Sequence, residues 1–109
     1  MKKTVKTEIY VGLNDSLTKE QMFSTDKYIS ILKDVCRNYH VAFSVNVVNG
    51  GYFHDDGSYV EENSLVLTLV DASKEIIEEI STDLCVFFHQ ESVMVSSTES
   101  EVFFVEERI

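Results

Sequence analysis

The sequence contains no proline and only four glycines among its 109 residues. Proline and glycine are the residues that most often interrupt helices and strands, so regular structure should fill most of the chain. The longest apolar run, Leu65–Val70, contains Thr68 and is far shorter than the ~20 residues that span a bilayer. The apolar run near the basic start is broken by Lys6 and Glu8, which argues against a signal peptide. We therefore expect a cytoplasmic protein with no membrane partner.

The sequence also lacks the motifs that mark common active sites. Its two cysteines, Cys36 and Cys85, do not have zinc-ligand spacing, and both fall on predicted helices among apolar neighbours. No Gly-rich phosphate loop and no Gly-x-Ser-x-Gly elbow is present. We therefore expect two reduced cysteines, no metal, no cofactor and no enzymatic activity.

Positive charge is scarce in the second part of the chain. The net charge is −10, of which residues 1–40 contribute +2 and residues 41–109 contribute −12. A negative surface of this kind repels nucleic acid and anionic lipid and attracts basic protein surfaces. Direct nucleic-acid binding is therefore not expected, whereas a protein partner with a basic surface is. Solubility alone is the simpler explanation of the same charge.

Periodicity predicts an α+β chain in the order β-α-β-β-α-β, with crossovers that favour a ferredoxin-like sandwich as a single domain over residues 1–109. The first strand and the Leu65–Val70 strand should be central in its sheet. The predicted elements are a strand over Val5–Leu13, a helix from Ser24 or Thr25 to Tyr39, a long hairpin within Ala42–Val70, a helix from Ser73 to His89, a strand over Ser92–Ser96 and, after a turn at Ser97–Ser100, an extra C-terminal strand over Glu101–Glu106.

The long central hairpin is the clearest local signal. His54-Asp55-Asp56-Gly57 lies between β-rich runs, and Asp-Gly in that setting predicts a hairpin turn. Gly50-Gly51 predicts a bulge or a bend in the first of the two strands. We expect a ribbon with an apolar base and an aromatic, acidic tip that is dispensable for folding. One face of the sheet should lack helices, and exposed Tyr10, Tyr52 and Tyr59 would suit a homodimer or another partner interface.

Two groups of exposed residues are candidates for partner binding. One lies on the hairpin and the other on the polar face of the second helix. Carboxylates held on a rigid fold can imitate phosphates and occupy a basic groove built for DNA or RNA. The candidate residues are Tyr52, Tyr59, Glu61, Glu62, Glu75, Glu78, Glu79 and Asp83.

Other polar residues have a structural explanation beside a functional one. Asp15 follows the first strand, where it is either a loop cap or a metal ligand. The small CRISPR-adaptation nucleases called Cas2 have this fold and an aspartate at that point, so a metal-dependent nuclease using Asp15 is one alternative function. A small-molecule-binding dimer that uses the open sheet face is another. His40 and His89 each end a predicted helix, where histidine can satisfy terminal carbonyls.

Three segments together give a resemblance to known proteins: EIYVGLND, GGYFHDDGSYVEENSLVLTLV and HQESVMV. The chain resembles a family of small acidic proteins from Gram-positive bacteria, their phages and their mobile elements. In size and charge it is similar to anti-CRISPR inhibitors of type II effectors. The resemblance implies a non-enzymatic inhibitor that binds a Cas9-type nuclease and interferes with its guide RNA or DNA.

Overall fold

The computed structural model describes residues 2–108, which form four strands and two helices. The elements are β1 (Lys2–Gly12), α1 (Thr25–Asn38), β2 (Ser44–Phe53), β3 (Tyr59–Val70), α2 (Lys74–Phe87) and β4 (Met94–Val102). All strands pair antiparallel in one sheet of order β2-β3-β1-β4. This is the ferredoxin-like sandwich that the sequence predicts, with β1 and β3 in the centre.

Local sequence signals set the helix ends. Ser24 and Ser73 are the N-caps, and their hydroxyls accept hydrogen bonds from the N–H groups of Lys27 and Ile76 at 3.2 and 3.1 Å. After each helix, His40 and His89 have φ values of 54° and 51°, in the left-handed region. Within residues 2–108, neither helix is long and apolar enough to span a membrane.

The core lies between the two helices and one face of the sheet. Alternate residues of β1 and β3 contribute to it, and α1 and α2 cover them, as periodicity predicts. At the end of α2 the core residue is Phe88, which is 2% exposed, whereas the adjacent Phe87 is 54% exposed. Cys36 is a free, buried thiol, and burial raises its pKa to about 11. The fully buried aliphatic residues are Ile9, Val11, Leu13, Leu32, Leu65, Leu67, Leu69, Ile80 and Leu84.

The predicted bulge at Gly50-Gly51 is wrong. β2 and β3 pair without interruption from Ser44 opposite Thr68 to Phe53 opposite Tyr59. Gly51 has a different role, because the phenol ring of Tyr59 lies across it and a Cβ atom there would clash with that ring. The glycine therefore accommodates a cross-strand side chain rather than an extra residue.

The prediction of an extra C-terminal strand is also wrong. β4 runs continuously over Met94–Val102 and includes the predicted turn at 97–100, while residues 103–108 form no strand. The serine- and threonine-rich segment is held extended because it pairs with the start of β1, where the Thr7 and Ser97 hydroxyls are 2.9 Å apart. Pairing with a neighbouring strand thus overrides the local turn preference of these residues.

The hairpin extends well beyond the rest of the sheet. The ladder between β1 and β3 ends at Gly12 opposite Ser64, but β3 begins five positions earlier, at Tyr59. The turn closes with two backbone hydrogen bonds of 2.9 Å between His54 and residues Gly57 and Ser58. The protruding ribbon gives the molecule extents of 56 × 30 × 28 Å.

We expect the hairpin turn to be dispensable for folding. Replacing His54–Ser58 by Asn-Gly removes only exposed residues, so the free energy of unfolding should stay within about 0.5 kcal/mol of wild type. Urea titration followed by circular dichroism measures this. A large loss of stability would show that the tip packs against the body of the protein.

Candidate functional site

A cavity of about 250 Å³ lies where the hairpin extends past the end of β1. Three segments line it: the loop after β1, the hairpin, and the segment after α2. The hairpin side chains in the wall belong to the sheet face opposite the helices, because they alternate with the residues that face the core. The lining residues are Asn14, Asp15, Ser16, Lys19, Tyr52, His54, Val60, Glu62, Gln90, Glu91 and Ser92.

Asp15 is the most constrained acid of this cavity. Its Oδ1 accepts hydrogen bonds from the backbone N–H groups of Leu17 at 2.8 Å and Thr18 at 3.2 Å. Its Oδ2 accepts a hydrogen bond of 2.9 Å from Nδ1 of His89. The two N–H groups, with Leu17 the stronger, hold the pKa of Asp15 below its ordinary value, and His89 acts in the same direction.

The contact between Asp15 and His89 joins parts of the chain that are 74 residues apart. Two further bonds tie the same segments: the Ser16 N–H donates to the His89 carbonyl at 3.0 Å, and Gln90 Nε2 donates to the Asn14 carbonyl at 2.6 Å. The loop after β1 and the segment after α2, joined by these hydrogen bonds, therefore form one side of the cavity. Such cross-links hold side chains in place before a ligand binds.

Glu62 brings the hairpin to the same site. Its carboxylate lies across Gly12, where a Cβ atom would be 2.6 Å from Oε2. The same Oε2 accepts a 3.0 Å hydrogen bond from the backbone N–H of Asn14. Gly12 therefore allows a close approach, and the approaching group is this carboxylate. Glu62 is half-buried and keeps one oxygen without a hydrogen bond to a described residue.

The other wall of the cavity is aromatic. Tyr52 and His54 lie edge to face with ring centroids 5.4 Å apart, and Val60 is paired with Tyr52 across the hairpin. Tyr52 is about half exposed, so part of its side chain is accessible to a ligand. The cavity thus has an apolar, aromatic side and a polar side.

The charges of the lining favour a cationic ligand. The lining has three carboxylates, Asp15, Glu62 and Glu91, and one ammonium group, that of Lys19. The Lys19 ammonium donates a hydrogen bond of 2.6 Å to the Ser16 carbonyl. No group of three metal-ligating side chains occurs within residues 2–108. Both oxygens of Asp15 are used by hydrogen bonds in the protein, so the structure does not favour the predicted alternative of a metal-dependent nuclease at this residue.

The predicted partner-binding residues fall in separate places. Tyr52 and Glu62 line the cavity. Tyr59 and Glu61 lie on the opposite face of the hairpin, where the Tyr59 hydroxyl donates to Glu61 at 3.2 Å. The remaining four, Glu75, Glu78, Glu79 and Asp83, line a shallow depression on α2 that shares no residue with the cavity. Binding of a protein partner by these residues stays a prediction.

Sequence reasoning missed the role of His89. We expected this histidine to cap the helix through its side chain, but its ring instead bonds to Asp15. The predicted topology could have revealed this contact. In a ferredoxin-like fold the end of β1 and the segment between α2 and β4 lie at the same end of the sheet. The turn prediction for His54-Asp55-Asp56 is confirmed, and Asp56 accepts hydrogen bonds from the Ser58 N–H and hydroxyl.

No protein-family model matches the chain, and no curated protein is similar to it. Among solved structures, the chain is similar to a phage SAM lyase in complex with S-methyl-5′-thioadenosine, with a TM-score of 0.69, 23% identity, and coverage of 88% of this chain and 81% of the lyase. For a phage SAM lyase in the apo state the TM-score is 0.70, with 23% identity and coverage of 89% and 81%.

This likeness corrects the function expected from sequence. The chain shares its fold with a phage SAM lyase, which is an enzyme, and this finding contradicts the expectation of a non-enzymatic, anti-CRISPR inhibitor of a Cas9-type nuclease. The error came from the net charge, which governs solubility and association but specifies neither a fold nor a site. The resemblance to small proteins of phages and mobile elements is a separate matter and stays a prediction.

The pKa of Asp15 leads to a prediction about acid stability. Because this pKa is lower in the folded chain than in the unfolded one, ionised Asp15 stabilises the fold above about pH 4. That contribution is lost as the pH falls through the folded value. We expect Asp15→Asn to be less stable than wild type at pH 7 and the difference to shrink at pH 3, in urea titrations at both values.

Asp55→Asn in the exposed hairpin turn is the matched control for this experiment and should leave stability unchanged at both pH values. A gap between Asp15→Asn and wild type that does not change with pH would contradict the assigned role of the carboxylate.

Proposed function

We propose that this chain is a lyase that cleaves S-adenosylmethionine and releases S-methyl-5′-thioadenosine. The observation that carries the proposal is the acidic, partly aromatic cavity at the base of the hairpin. Support comes from the fold, which is shared over most of the chain with an enzyme of that activity. The proposal also places the protein in the cytoplasm, where this substrate is available.

The substrate and the cavity are complementary in charge. S-adenosylmethionine has a sulfonium and an ammonium group and one carboxylate, so its net charge is positive at neutral pH. The cavity has three carboxylates and one lysine. The half-exposed ring of Tyr52 offers an aromatic surface for adenine, because aromatic side chains and nucleobases stack through their flat faces.

The reaction breaks the bond between sulfur and the γ-carbon of the methionine moiety. Sulfur keeps the electron pair, and the neutral thioether leaves as S-methyl-5′-thioadenosine. The four-carbon fragment either closes onto its own carboxylate to form a lactone or loses a proton from its β-carbon to form an alkene. Positive charge disappears from sulfur in the transition state, so a carboxylate placed directly at the sulfonium would stabilise the substrate more than the transition state.

The residues of the cavity therefore have different roles. The Glu62 carboxylate, which has one unused oxygen, binds the substrate's ammonium group rather than its sulfonium. Val60, which pairs with Tyr52 across the hairpin, forms the least polar part of the lining, against which the sulfur loses its charge most easily. Asp15 and His89 are positioning residues, since their mutual hydrogen bond holds the loop that carries Asn14 and Lys19.

The direct test is to incubate the purified chain with S-adenosylmethionine and to measure products by liquid chromatography and mass spectrometry. We expect S-methyl-5′-thioadenosine to accumulate with one equivalent of the four-carbon product, as lactone or alkene, at a rate proportional to protein concentration. The hairpin-shortened variant lacks His54 but keeps the fold, so it should be slower. Spontaneous breakdown of the substrate alone sets the background, and a rate equal to that background would overturn the proposal.

A further inference from the structure

A second, larger cavity lies on the other face of the sheet. This α2–β4 groove has a volume of about 740 Å³ and runs between α2 and the first half of β4. Its apolar lining comes from Val5, Ala72, Ile77 and Val95. No residue is shared with the candidate active site, so the groove calls for a different occupant.

The chain itself has a segment whose chemistry matches the groove. Phe103, Phe104 and Val105 follow β4 directly and are 63%, 88% and 85% exposed. Three consecutive exposed apolar residues on a protein surface usually mark an interaction site. Two of them are aromatic, and aromatic side chains contribute most strongly when they fill a pocket at an interface.

The polar groups at the groove also fit an extended peptide. β4 is an edge strand, so one side of its backbone has N–H and C=O groups without a neighbouring strand. Ser81 lines the groove, and its buried hydroxyl has no hydrogen-bond partner within residues 2–108. The groove lining has one charge of each sign, Lys74 and Glu78, and Lys74 has the opposite charge to Glu106 and Glu107, which follow the apolar segment. A peptide backbone could form hydrogen bonds with the free edge of β4 and with the Ser81 hydroxyl. The two glutamates could pair with Lys74.

The segment is poorly placed to fill the groove of its own chain. It leaves β4 at Val102, about 17 Å along the strand from Ser97 in the groove wall. To return, the chain would have to reverse sharply just after Val102. Residues 101–108 contain no glycine, proline, asparagine or aspartate, the residues that support tight turns.

We propose that the segment Phe103–Val105 of one copy binds in the α2–β4 groove of a second copy of this chain. The contact joins two different surfaces, tail and groove, so it is heterologous and leads either to a closed ring or to an open chain of copies. This interaction does not depend on the proposed enzymatic activity, and its test uses no substrate.

The test measures molar mass by light scattering during size-exclusion chromatography over a range of concentrations. Wild type should be larger than one chain. The tail variant Phe103→Ser/Phe104→Ser and the groove variant Val95→Glu should both weaken association by about 30-fold or more. Leu17→Ser and Val86→Glu are the matched controls: both residues are exposed, lie outside the tail and groove, and should leave the mass unchanged.

Mixing the two association-deficient variants distinguishes this contact from other modes of association. The tail variant keeps an intact groove and the groove variant keeps an intact tail, so the mixture should form a species of two chains that neither forms alone. Circular dichroism of each variant checks that it is folded. A monomeric wild type, an unchanged mass of the tail variant, or a mixture that remains monomeric would each overturn the proposal. A monomeric wild type whose tail resonances shift on Val95→Glu would indicate docking within one chain instead.

Discussion

Glu62→Gln should lower kcat/KM for cleavage of S-adenosylmethionine by about 10- to 150-fold. The estimate follows from the 1.5–3 kcal/mol that a hydrogen bond to a charged group contributes, at 1.36 kcal/mol for each tenfold change in rate. The loss arises because the variant no longer offers a carboxylate to the ammonium group of the substrate. The expected change is mainly in KM, since that group keeps its charge throughout the reaction.

The fold should tolerate this substitution. The amide oxygen of glutamine still accepts the hydrogen bond from the Asn14 N–H, so the free energy of unfolding should remain close to that of wild type. Glu61→Gln is the matched control, because Glu61 is the preceding residue and lies on the opposite face of the hairpin. Equal losses of activity in the two variants would contradict the assignment of Glu62, and an unchanged Glu62→Gln enzyme would do so as well.

Phe88→Ala should lower the free energy of unfolding by about 3–5 kcal/mol, the usual cost of removing a buried aromatic side chain. Phe88 is 2% exposed, and its ring centroid lies 5.0 Å from that of Tyr28 on α1. The substitution therefore leaves a cavity at the contact between the two helices. Urea titration at neutral pH measures the loss.

Phe87→Ala provides a control that differs by one position. Phe87 is 54% exposed, so truncating its side chain opens no internal cavity and should cost far less stability. Phe88 also precedes His89, so its loss should release the histidine that holds Asp15 and reduce activity together with stability. Similar losses of stability in the two variants would contradict the burial assigned to Phe88.

Much of the fold is encoded in short stretches of sequence. A serine before each apolar, 3.6-periodic run places the start of α1 and α2, because the cap and the apolar face are both local properties. The Asp-Gly turn places the hairpin for the same reason. With these elements in order, the rules for crossover connections leave the ferredoxin-like arrangement with β1 and β3 in the centre.

The sequence misled us where a distant partner decides the local structure. Residues 97–100 have a composition typical of a turn, but pairing with β1 keeps them in one strand. Gly50-Gly51 has the composition of a bulge, but the ring of Tyr59 explains the second glycine. In both cases the deciding contact comes from another strand, which local propensity does not report.

By itself, then, the sequence determined the order of elements, the helix caps, the hairpin turn, the apolar core faces and the uneven charge, since each depends on residues close together in the chain. Only the tertiary structure decided the site. It brings Glu62 against Gly12, pairs Asp15 with His89 across 74 residues, and separates the acidic face of α2 from the cavity. Hydrogen bonds and side-chain contacts act over a few ångströms in space, and the spacing of residues along the chain does not reveal which of them will meet.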